Sequence, residues 1–269
     1  MGLSMRTWTA VAMLAAVSLI GAGFALADDP APTTGYLAAG DVPDAVRILP
    51  PPPAAGSGRA ADDTAIFQAT RALKGQPRWD LATRDADLRP AHAIAAFACS
   101  LGVALDAPNA PTLMTLIGRS GLDARSIVDP PKDHYARPRP YQAAKDAAAT
   151  CVAQSLWLGK SPAYPSGHAA ASWAWGLILA ELAPDRATEV LMRARSIGES
   201  RIVCGVHYLS DVEAGRDAGA ALVARLHANP GFRADLVKAR AEIAAARAAH
   251  HAAPGECLVQ DQAAAHPPY

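Results

Sequence analysis

The segment that most constrains this chain is an apolar run, 169–183, which follows directly on the turn Tyr164-Pro165-Ser166-Gly167-His168. A run that is apolar on every side and has no internal proline forms a helix that must be buried. It is shorter than the roughly 18 apolar residues of a membrane span, and Glu181 interrupts it. We therefore expect a core helix, around which the other helices pack.

Helical periodicity without strand-like alternation continues through most of the chain. The predicted helices cover 65–74, 79–105, 112–120, 123–128, 141–158, 185–199, 210–228 and 232–249. Pro90 marks a kink or a boundary inside the second, and Pro130-Pro131 is expected to end the fourth. The predicted fold class is all-α, a single globular helical domain of about eight to ten helices that spans 62–249.

Both ends of the chain differ in composition from this domain. Residues 1–27 combine one positive charge, an apolar run and an Ala-Leu-Ala exit, which is the pattern of a cleaved secretory signal peptide. An uncleaved membrane anchor is the alternative. The Pro/Ala-rich residues 28–61 are predicted to form an extended arm and residues 250–269 a flexible tail. Export predicts a periplasmic or secreted protein, with no membrane association after signal cleavage.

Composition excludes some partners and permits disulfides. The chain has 25 basic and 25 acidic residues, so neither a nucleic acid nor an anionic membrane surface is expected as a bulk partner.

Four cysteines in an exported chain can form two disulfides, although buried free thiols are the alternative and the pairing cannot be deduced from sequence. Their wide spacing argues against a zinc site. The cysteines are Cys99, Cys151, Cys204 and Cys257.

The turn before the core helix is a candidate anion site. The first N–H groups of a helix have no intrahelical partner, and the helix dipole favours negative charge there. We therefore expect the N–H groups of Ser166, Gly167 and His168 to point outward and unpaired. Gly167 permits close approach of a ligand, and the side chain of His168 titrates near neutrality.

Two further clusters supply positive charge, from Lys132 and Arg139 on one side of the turn in sequence and Arg201 on the other. With the Ser166 hydroxyl, they provide the donors that a phosphoryl group needs in its transition state. The arginines can act as bidentate forks. The sequence offers no carboxylate cluster to hold a metal, so we predict no metal and no cofactor. Arg137, two residues before Arg139, is interpreted as uninvolved.

A nucleophile and an acid are also present. Asp211 follows His207 by four residues, and a carboxylate on Nδ1 would leave Nε2 free to attack phosphorus and form a phosphohistidine. His168 can then protonate the leaving alkoxide and later deprotonate the attacking water. Because this imidazole must first be protonated, we expect the best turnover on the acid side of neutrality.

Each of these residues also has a structural interpretation. A pair such as His207 with Asp211 is more often a turn bond than a catalytic dyad, and Lys132 or Arg139 alone is more often surface charge. Tyr164 is equally consistent with core and with pocket wall. It is the occurrence of all three clusters in one chain that favours a catalytic site.

Together and in this order, the clusters resemble the signature of the type-2 phosphatidic acid phosphatase and vanadium haloperoxidase superfamily, K-x6-RP, PSGH and SR-x5-H-x3-D. Every spacing matches, in 132–140, 165–168 and 200–211. Over about 126–240 the chain is most similar to the class A bacterial non-specific acid phosphatases. This resemblance implies an exported, metal-independent acid phosphatase that acts on small-molecule phosphomonoesters. It further implies a homo-oligomer, and in some members phosphotransferase activity.

Three alternatives use the same scaffold. A vanadium-dependent haloperoxidase would hold vanadate where phosphate binds, and a lipid-phosphate phosphatase would need membrane-spanning helices. A non-catalytic phosphate-binding protein would not need both histidines. The candidate site therefore has catalytic residues His207, His168 and Asp211, and phosphate-binding residues Lys132, Arg139, Ser166, Gly167 and Arg201.

Overall fold

The computed structural model describes residues 1–2, 32–144, 149–253, 255 and 257–269. The described residues form helices and no strand, which confirms the predicted all-α fold class. The helices are α1 (Ala45–Ile48), α2 (Gly58–Thr70), α3 (Pro77–Arg84), α4 (Pro90–Leu101), α5 (Pro111–Tyr135), α6 (Pro140–Ala143), α7 (Leu156–Lys160), α8 (Gly167–Leu182), α9 (Ala187–Val203), α10 (Leu209–Leu226), α11 (Pro230–Ala248) and α12 (Leu258–Ala265).

Helix α8, the predicted core helix, lies at the centre of the fold and packs against α5, α9 and α10. Its buried side chains include Ala170, Ala174, Ile178 and Leu179. Helix α10 approaches α8 closely because a glycine faces it: a Cβ on Gly219 would lie 2.5 Å from the carbonyl oxygen of Ala170. This close packing places the N-termini of α8 and α10 side by side.

Helix α5 is longer than the sequence predicts. The expectation of two helices ended by Pro130-Pro131 is wrong, since one helix runs from Pro111 to Tyr135 and includes both prolines. Proline removes backbone donors from a helix interior. Burial of one continuous face offsets this loss, because that face keeps its 3.6-residue period through the prolines. Its buried residues include Leu113, Leu116, Ile117, Ala124, Ile127, Val128 and Pro131.

Other predicted helices also have different bounds in the structure, and the helix predicted over 65–74 is α2, which begins at Gly58. The prediction of one helix over 141–158 is wrong in the described part, where α6 and α7 are single turns and 149–155 is not helical. A disulfide joins Cys151 in this segment to Cys204, with the Cα atoms 4.6 Å apart. Helix α9 continues to Val203, so Arg201 lies within its last turn. Pro90 begins a new helix, α4, and is therefore a boundary.

The predicted arm and the predicted tail both contact the helical domain. The predicted signal peptide lies outside the described residues except for residues 1–2. Tyr36 and Leu49, within the predicted arm, are buried. The tail, predicted to be flexible, contains α12, which packs against α3 and α9, and a disulfide joins Cys257 to Cys99. None of the described helices has both the length and the apolar character needed to cross a membrane.

Candidate active site

A cavity of about 490 Å³ opens at the N-terminus of α8. Six of the eight predicted site residues line it, contributed by α5, α8, α9 and the segments that follow α5 and α9: Lys132, Arg139, Gly167, His168, Arg201 and His207. The other two, Ser166 and Asp211, are fully buried behind this wall. Segments distant in sequence therefore converge on one site.

Three buried cations face this cavity without a carboxylate partner. Lys132 is 8 % exposed, and Arg139 and Arg201 are each 3 % exposed. In the described ranges, no ion pair includes any of them. A buried charge without a partner is costly. The site therefore carries positive charge that an anion can neutralise.

Backbone carbonyls orient two of these cations. Lys132 Nζ donates to the carbonyl oxygen of Pro162 at 2.6 Å. Arg139 donates from Nε to the carbonyl oxygen of Ser161 at 2.8 Å and from Nη1 to that of Val206 at 2.9 Å. Carbonyl dipoles fix these side chains in place but do not cancel their charge.

Arg201 is the least satisfied of the three cations. Its Nε has no acceptor among the described residues, and Nη1 reaches only the sulfur of Cys204, at 3.9 Å. Burial, followed by repulsion from Arg139, lowers the pKa of Arg201 to about 9. Burial and Arg139 likewise lower the pKa of Lys132, to about 7. Both pKa values are lowered because burial and the neighbouring positive charge disfavour the protonated form of the side chain.

The N-terminus of α8 provides two free backbone donors, where the sequence predicts three. The prediction for the Ser166 N–H is wrong, because this group donates to the carbonyl oxygen of Asp211 at 2.9 Å. Its hydroxyl oxygen caps α8 by accepting from the N–H of Ala169 at 3.3 Å. The N–H groups of Gly167 and His168 have no protein acceptor in the described residues and lie at the cavity wall. A helix N-terminus with free donors favours an anion.

His207 has the tautomer that a nucleophile requires. Its Nε2 lies 3.1 Å from Nη1 of Arg139, and because a guanidinium can only donate, Nε2 is the acceptor. Burial, followed by Arg139 and Lys132, holds the pKa of His207 well below its usual range, so the ring is neutral. The ring proton is therefore on Nδ1, and the Nε2 lone pair accepts from Arg139 at the cavity wall.

Asp211 is the carboxylate behind this ring. Its Oδ2 lies 3.5 Å from Nδ1 of His207, longer than a formed hydrogen bond, and accepts from the N–H of Tyr208 at 2.8 Å. The latter contact caps α10 from its third residue. Burial raises the pKa of Asp211 to about 6, and Arg137 is the largest influence that opposes this rise.

His168 has the opposite tautomer from His207. Its Nε2 lies 3.1 Å from the carbonyl oxygen of Ala86. Because a carbonyl only accepts, Nε2 carries the proton, and Nδ1 is the nitrogen that can exchange one. Burial, followed by Arg201, holds the pKa of His168 well below its usual range. The two histidines of the site are thus assigned different reactive nitrogens by their neighbours.

Arg137, interpreted from the sequence as uninvolved, contacts one of the predicted site residues. Its guanidinium bonds Asp211 on one side and Asp63 of α2 on the other. The last turn of α9 is held by two further residues, and neither belongs to a motif in the sequence. Arg71 Nη2 donates to the carbonyl oxygen of Val203 at 2.6 Å, and Asp85 Oδ2 accepts from the hydroxyl of Ser200 at 2.6 Å.

The cavity mouth mixes apolar and charged side chains. Apolar residues of the remaining lining include Leu88, Val128 and Leu158, and its charged residues are Arg125, Asp129, Asp133 and Lys160. In the part of the chain that the structure describes, no three His, Cys, Asp or Glu side chains gather as metal ligands.

Comparison with known proteins gives concordant matches. Residues 110–234 match the model of the PAP2 superfamily. An acid phosphatase of Zymomonas mobilis subsp. mobilis is 41% identical over 208 residues, 77% of this chain and 78% of that protein. A non-specific acid phosphatase of Providencia stuartii is 36% identical over 215 residues, 79% of this chain and 86% of that one. A bacterial vanadium-dependent iodoperoxidase structure has a TM-score of 0.49 and 17% identity, covering 67% of this chain and 52% of its own.

Proposed function

The chain belongs to the PAP2 superfamily as an acid phosphatase, and we propose that it hydrolyses phosphomonoesters through a phosphohistidine intermediate, without a metal ion. The observation that carries this proposal is the set of three buried cations, Lys132, Arg139 and Arg201, around one cavity with no carboxylate paired to them in the described residues. A phosphoryl group brings the negative charge that these side chains lack.

In the first step, Nε2 of His207 attacks phosphorus while the bond from phosphorus to the leaving alkoxide breaks. The imidazole becomes positively charged, and the carboxylate of Asp211 stabilises the Nδ1 proton. Nδ1 of His168 donates a proton to the leaving oxygen, so an alcohol departs. The N–H groups of Gly167 and His168 and the three cations bind the phosphoryl oxygens, while Ser166, behind the cavity wall, holds the start of α8 in place.

In the second step, water attacks the phosphorus of the phosphohistidine. Nδ1 of His168, neutral after the first step, accepts a proton from this water. The bond between phosphorus and Nε2 breaks, inorganic phosphate leaves, and His207 regains its lone pair. An alcohol in place of water would accept the phosphoryl group and give phosphotransfer.

Acid pH favours this cycle because His168 must enter it protonated. The low pKa of His168 is set by burial and by Arg201, so the ring of the phosphate-free protein is neutral near pH 7. A bound phosphoryl group neutralises the surrounding cations and raises this pKa. Substrate binding and protonation of His168 are therefore mutually favourable.

We also propose a periplasmic or secreted location and assembly as a homo-oligomer. Two disulfides, Cys99–Cys257 and Cys151–Cys204, support an oxidising compartment. Small-molecule phosphomonoesters are the proposed substrates, because the open cavity of about 490 Å³ accommodates a small leaving group beside the phosphate.

The test is hydrolysis of p-nitrophenyl phosphate by the mature chain in EDTA, across pH, for the wild type, His207→Ala and His168→Ala. His227→Ala is the matched control, because His227 is an exposed histidine paired with Glu181 and lies outside the cavity. We expect metal-independent turnover on the acid side of neutrality, absent in His207→Ala, strongly reduced in His168→Ala and unchanged in the control. Turnover abolished by EDTA, or retained by His207→Ala, would overturn the mechanism.

A further inference from the structure

We propose that Arg137, anchored by Asp63 of α2, is a positioning residue that holds the carboxylate of Asp211 against the nucleophilic histidine. This inference rests on the proposed phosphohistidine mechanism, since it concerns the orientation of His207. It extends the functional site to α2, which carries none of the three sequence clusters.

The guanidinium of Arg137 bridges two carboxylates. Nη1 lies 2.5 Å from Oδ1 of Asp211 and 2.8 Å from the hydroxyl oxygen of Ser210. Nη2 lies 2.9 Å from Oδ2 of Asp63. The guanidinium carbon also lies 4.3 Å from the centroid of the Tyr208 ring. Four contacts in different directions leave this side chain little freedom.

Asp63 is itself held by Ser210, the residue that precedes Asp211. Its Oδ1 accepts from the N–H of Ser210 at 3.0 Å, and its Oδ2 also accepts from the Ser210 hydroxyl. The side chains of Asp63 and Asp211 are 4 % and 0 % exposed, and that of Arg137 is 12 % exposed. This is a buried row of alternating charge, in which the arginine compensates both carboxylates.

Arg137 acts on His207 only through Asp211. It does not line the cavity and makes no contact with the imidazole. The two oxygens of Asp211 have separate partners: Oδ1 meets Arg137, while Oδ2 meets the N–H of Tyr208 and faces Nδ1 of His207. With Oδ1 held, rotation of the carboxylate away from the imidazole is restricted. In metal sites, outer-shell groups that orient a histidine commonly change activity by about 10- to 100-fold when mutated, and we expect the same range here.

The charge of Arg137 also keeps Asp211 ionised. The pKa of Asp211 is raised by burial to about 6, and Arg137 opposes that rise more than any other group. Without it the pKa rises further, so the carboxyl group is protonated over more of the acid range. The charged and titratable groups around Asp211 are His207 and Tyr208 beside it, Asp63 of α2, Lys132 of α5, Arg137 and Arg139 after α5, and Tyr164 before α8.

The first experiment measures kcat, KM and competitive inhibition by inorganic phosphate for Arg137→Gln and Arg137→Lys. Arg59→Gln is the matched control, because Arg59 lies on α2 in an exposed pair with Glu213. We expect Arg137→Gln to lower kcat about 10- to 100-fold with an unchanged phosphate inhibition constant. The acid limb of its kcat profile should move to higher pH. Arg137→Lys should recover part of kcat, and Arg59→Gln should match the wild type.

Arg137→Gln leaves two buried carboxylates uncompensated and can therefore unfold the chain. The double variant Asp63→Asn/Arg137→Gln removes both charges of the anchoring pair and keeps the charge balance. It should fold, as judged by circular dichroism, and still show the low kcat. A folded double variant with wild-type kcat and an unshifted acid limb would overturn the inference.

A second measurement separates this inference from the proposed function. In ¹⁵N-histidine spectra, the His207 resonances are identified by their loss in His207→Ala. Arg139 donates to Nε2 in both proteins, so the wild type and the double variant should both show the Nδ1–H tautomer. The Nδ1 proton of the double variant should exchange with water faster, because the carboxylate of Asp211 is no longer held beside it. If the wild type hydrolysed nothing, the proposed function would fail, but this comparison would still decide whether Arg137 holds Asp211 beside the ring. An unchanged exchange rate alongside His207-dependent hydrolysis would refute the inference alone.

Discussion

Replacement of Arg201 by methionine should make the protein more stable and nearly inactive. Arg201 is buried in the last turn of α9, it forms no ion pair in the described residues, and its Nε has no acceptor there. Methionine keeps a long flexible side chain in this space and removes the charge. One substitution should therefore change the free energy of unfolding and the rate of catalysis in opposite directions.

The expected change in stability follows from the pKa of Arg201, and the expected change in kcat from the usual cost of losing one donor. Burial lowers the pKa of Arg201 to about 9, against an ordinary guanidinium value of about 12.5. At ~1.4 kcal/mol per pKa unit, the charge costs the folded protein on the order of 5 kcal/mol wherever Arg201 is ionised, below about pH 9. Replacing even a paired buried charge by apolar groups of similar volume is often neutral or stabilising, by up to about 4 kcal/mol, and Arg201 has no ion-pair partner in the described residues to leave behind. Loss of one donor to a developing charge lowers kcat by about 100- to 1,000-fold.

The assay combines thermal unfolding with p-nitrophenyl phosphate kinetics at one acid pH. A stabilisation of ~1–4 kcal/mol should raise the Tm by roughly 2–4 °C for each kcal/mol. Inorganic phosphate should raise the Tm of the wild type and have little effect on Arg201→Met, because the variant has lost a ligand of the anion.

Arg193→Met is the matched control. Arg193 lies on the same helix and is equally buried, but it is paired with Asp85. Removing it leaves a buried carboxylate without its partner, so this variant should be destabilised by about 3–5 kcal/mol. A lower Tm for Arg201→Met, similar to that of Arg193→Met, would refute the conclusion that Arg201 is an uncompensated charge.

Three further predictions follow from the same site. Because the pKa of Lys132 is lowered to about 7, inhibition by inorganic phosphate should weaken more steeply as pH rises through 7 in the wild type than in Lys132→Met. Because the pKa of His168 lies well below its usual range in the free protein, kcat/KM should rise as pH falls below neutrality, and should vary much less in His168→Ala. Cys99→Ala, which removes the disulfide to Cys257, should cost ~2–5 kcal/mol in unfolding measurements and leave kcat unchanged.

The sequence predicts the cavity-lining residues well because their chemistry is tied to spacing within short segments. Lys132, Arg139 and Arg201 are recognisable as a set, and the structure places all three around one cavity. The start of α8 is predicted for a similar local reason, since Gly167 and His168 follow an N-cap serine directly. Patterns within such short segments can be recognised in a single sequence.

What could not be predicted depends on contacts between distant segments. Arg137 is separated from Asp63 by 74 residues, and no local pattern indicates that the two side chains meet. The continuation of α5 through Pro130-Pro131 has the same cause, because burial against the rest of the fold outweighs a local preference. The Ser166 N–H, expected to be free, is paired only because α10 lies beside α8.

The backbone bond from the Ser166 N–H to the carbonyl oxygen of Asp211 joins the start of α8 directly to the residue behind His207. In the proposed mechanism, the turn that binds the phosphoryl group and the histidine that attacks it would therefore be held together by the starts of α8 and α10. Leu88 and Lys160, which line the same cavity, belong to other segments. We therefore expect amino-acid changes at these two positions to alter which alcohol is released while the attack geometry is kept, so that substrate range can evolve independently of catalytic power.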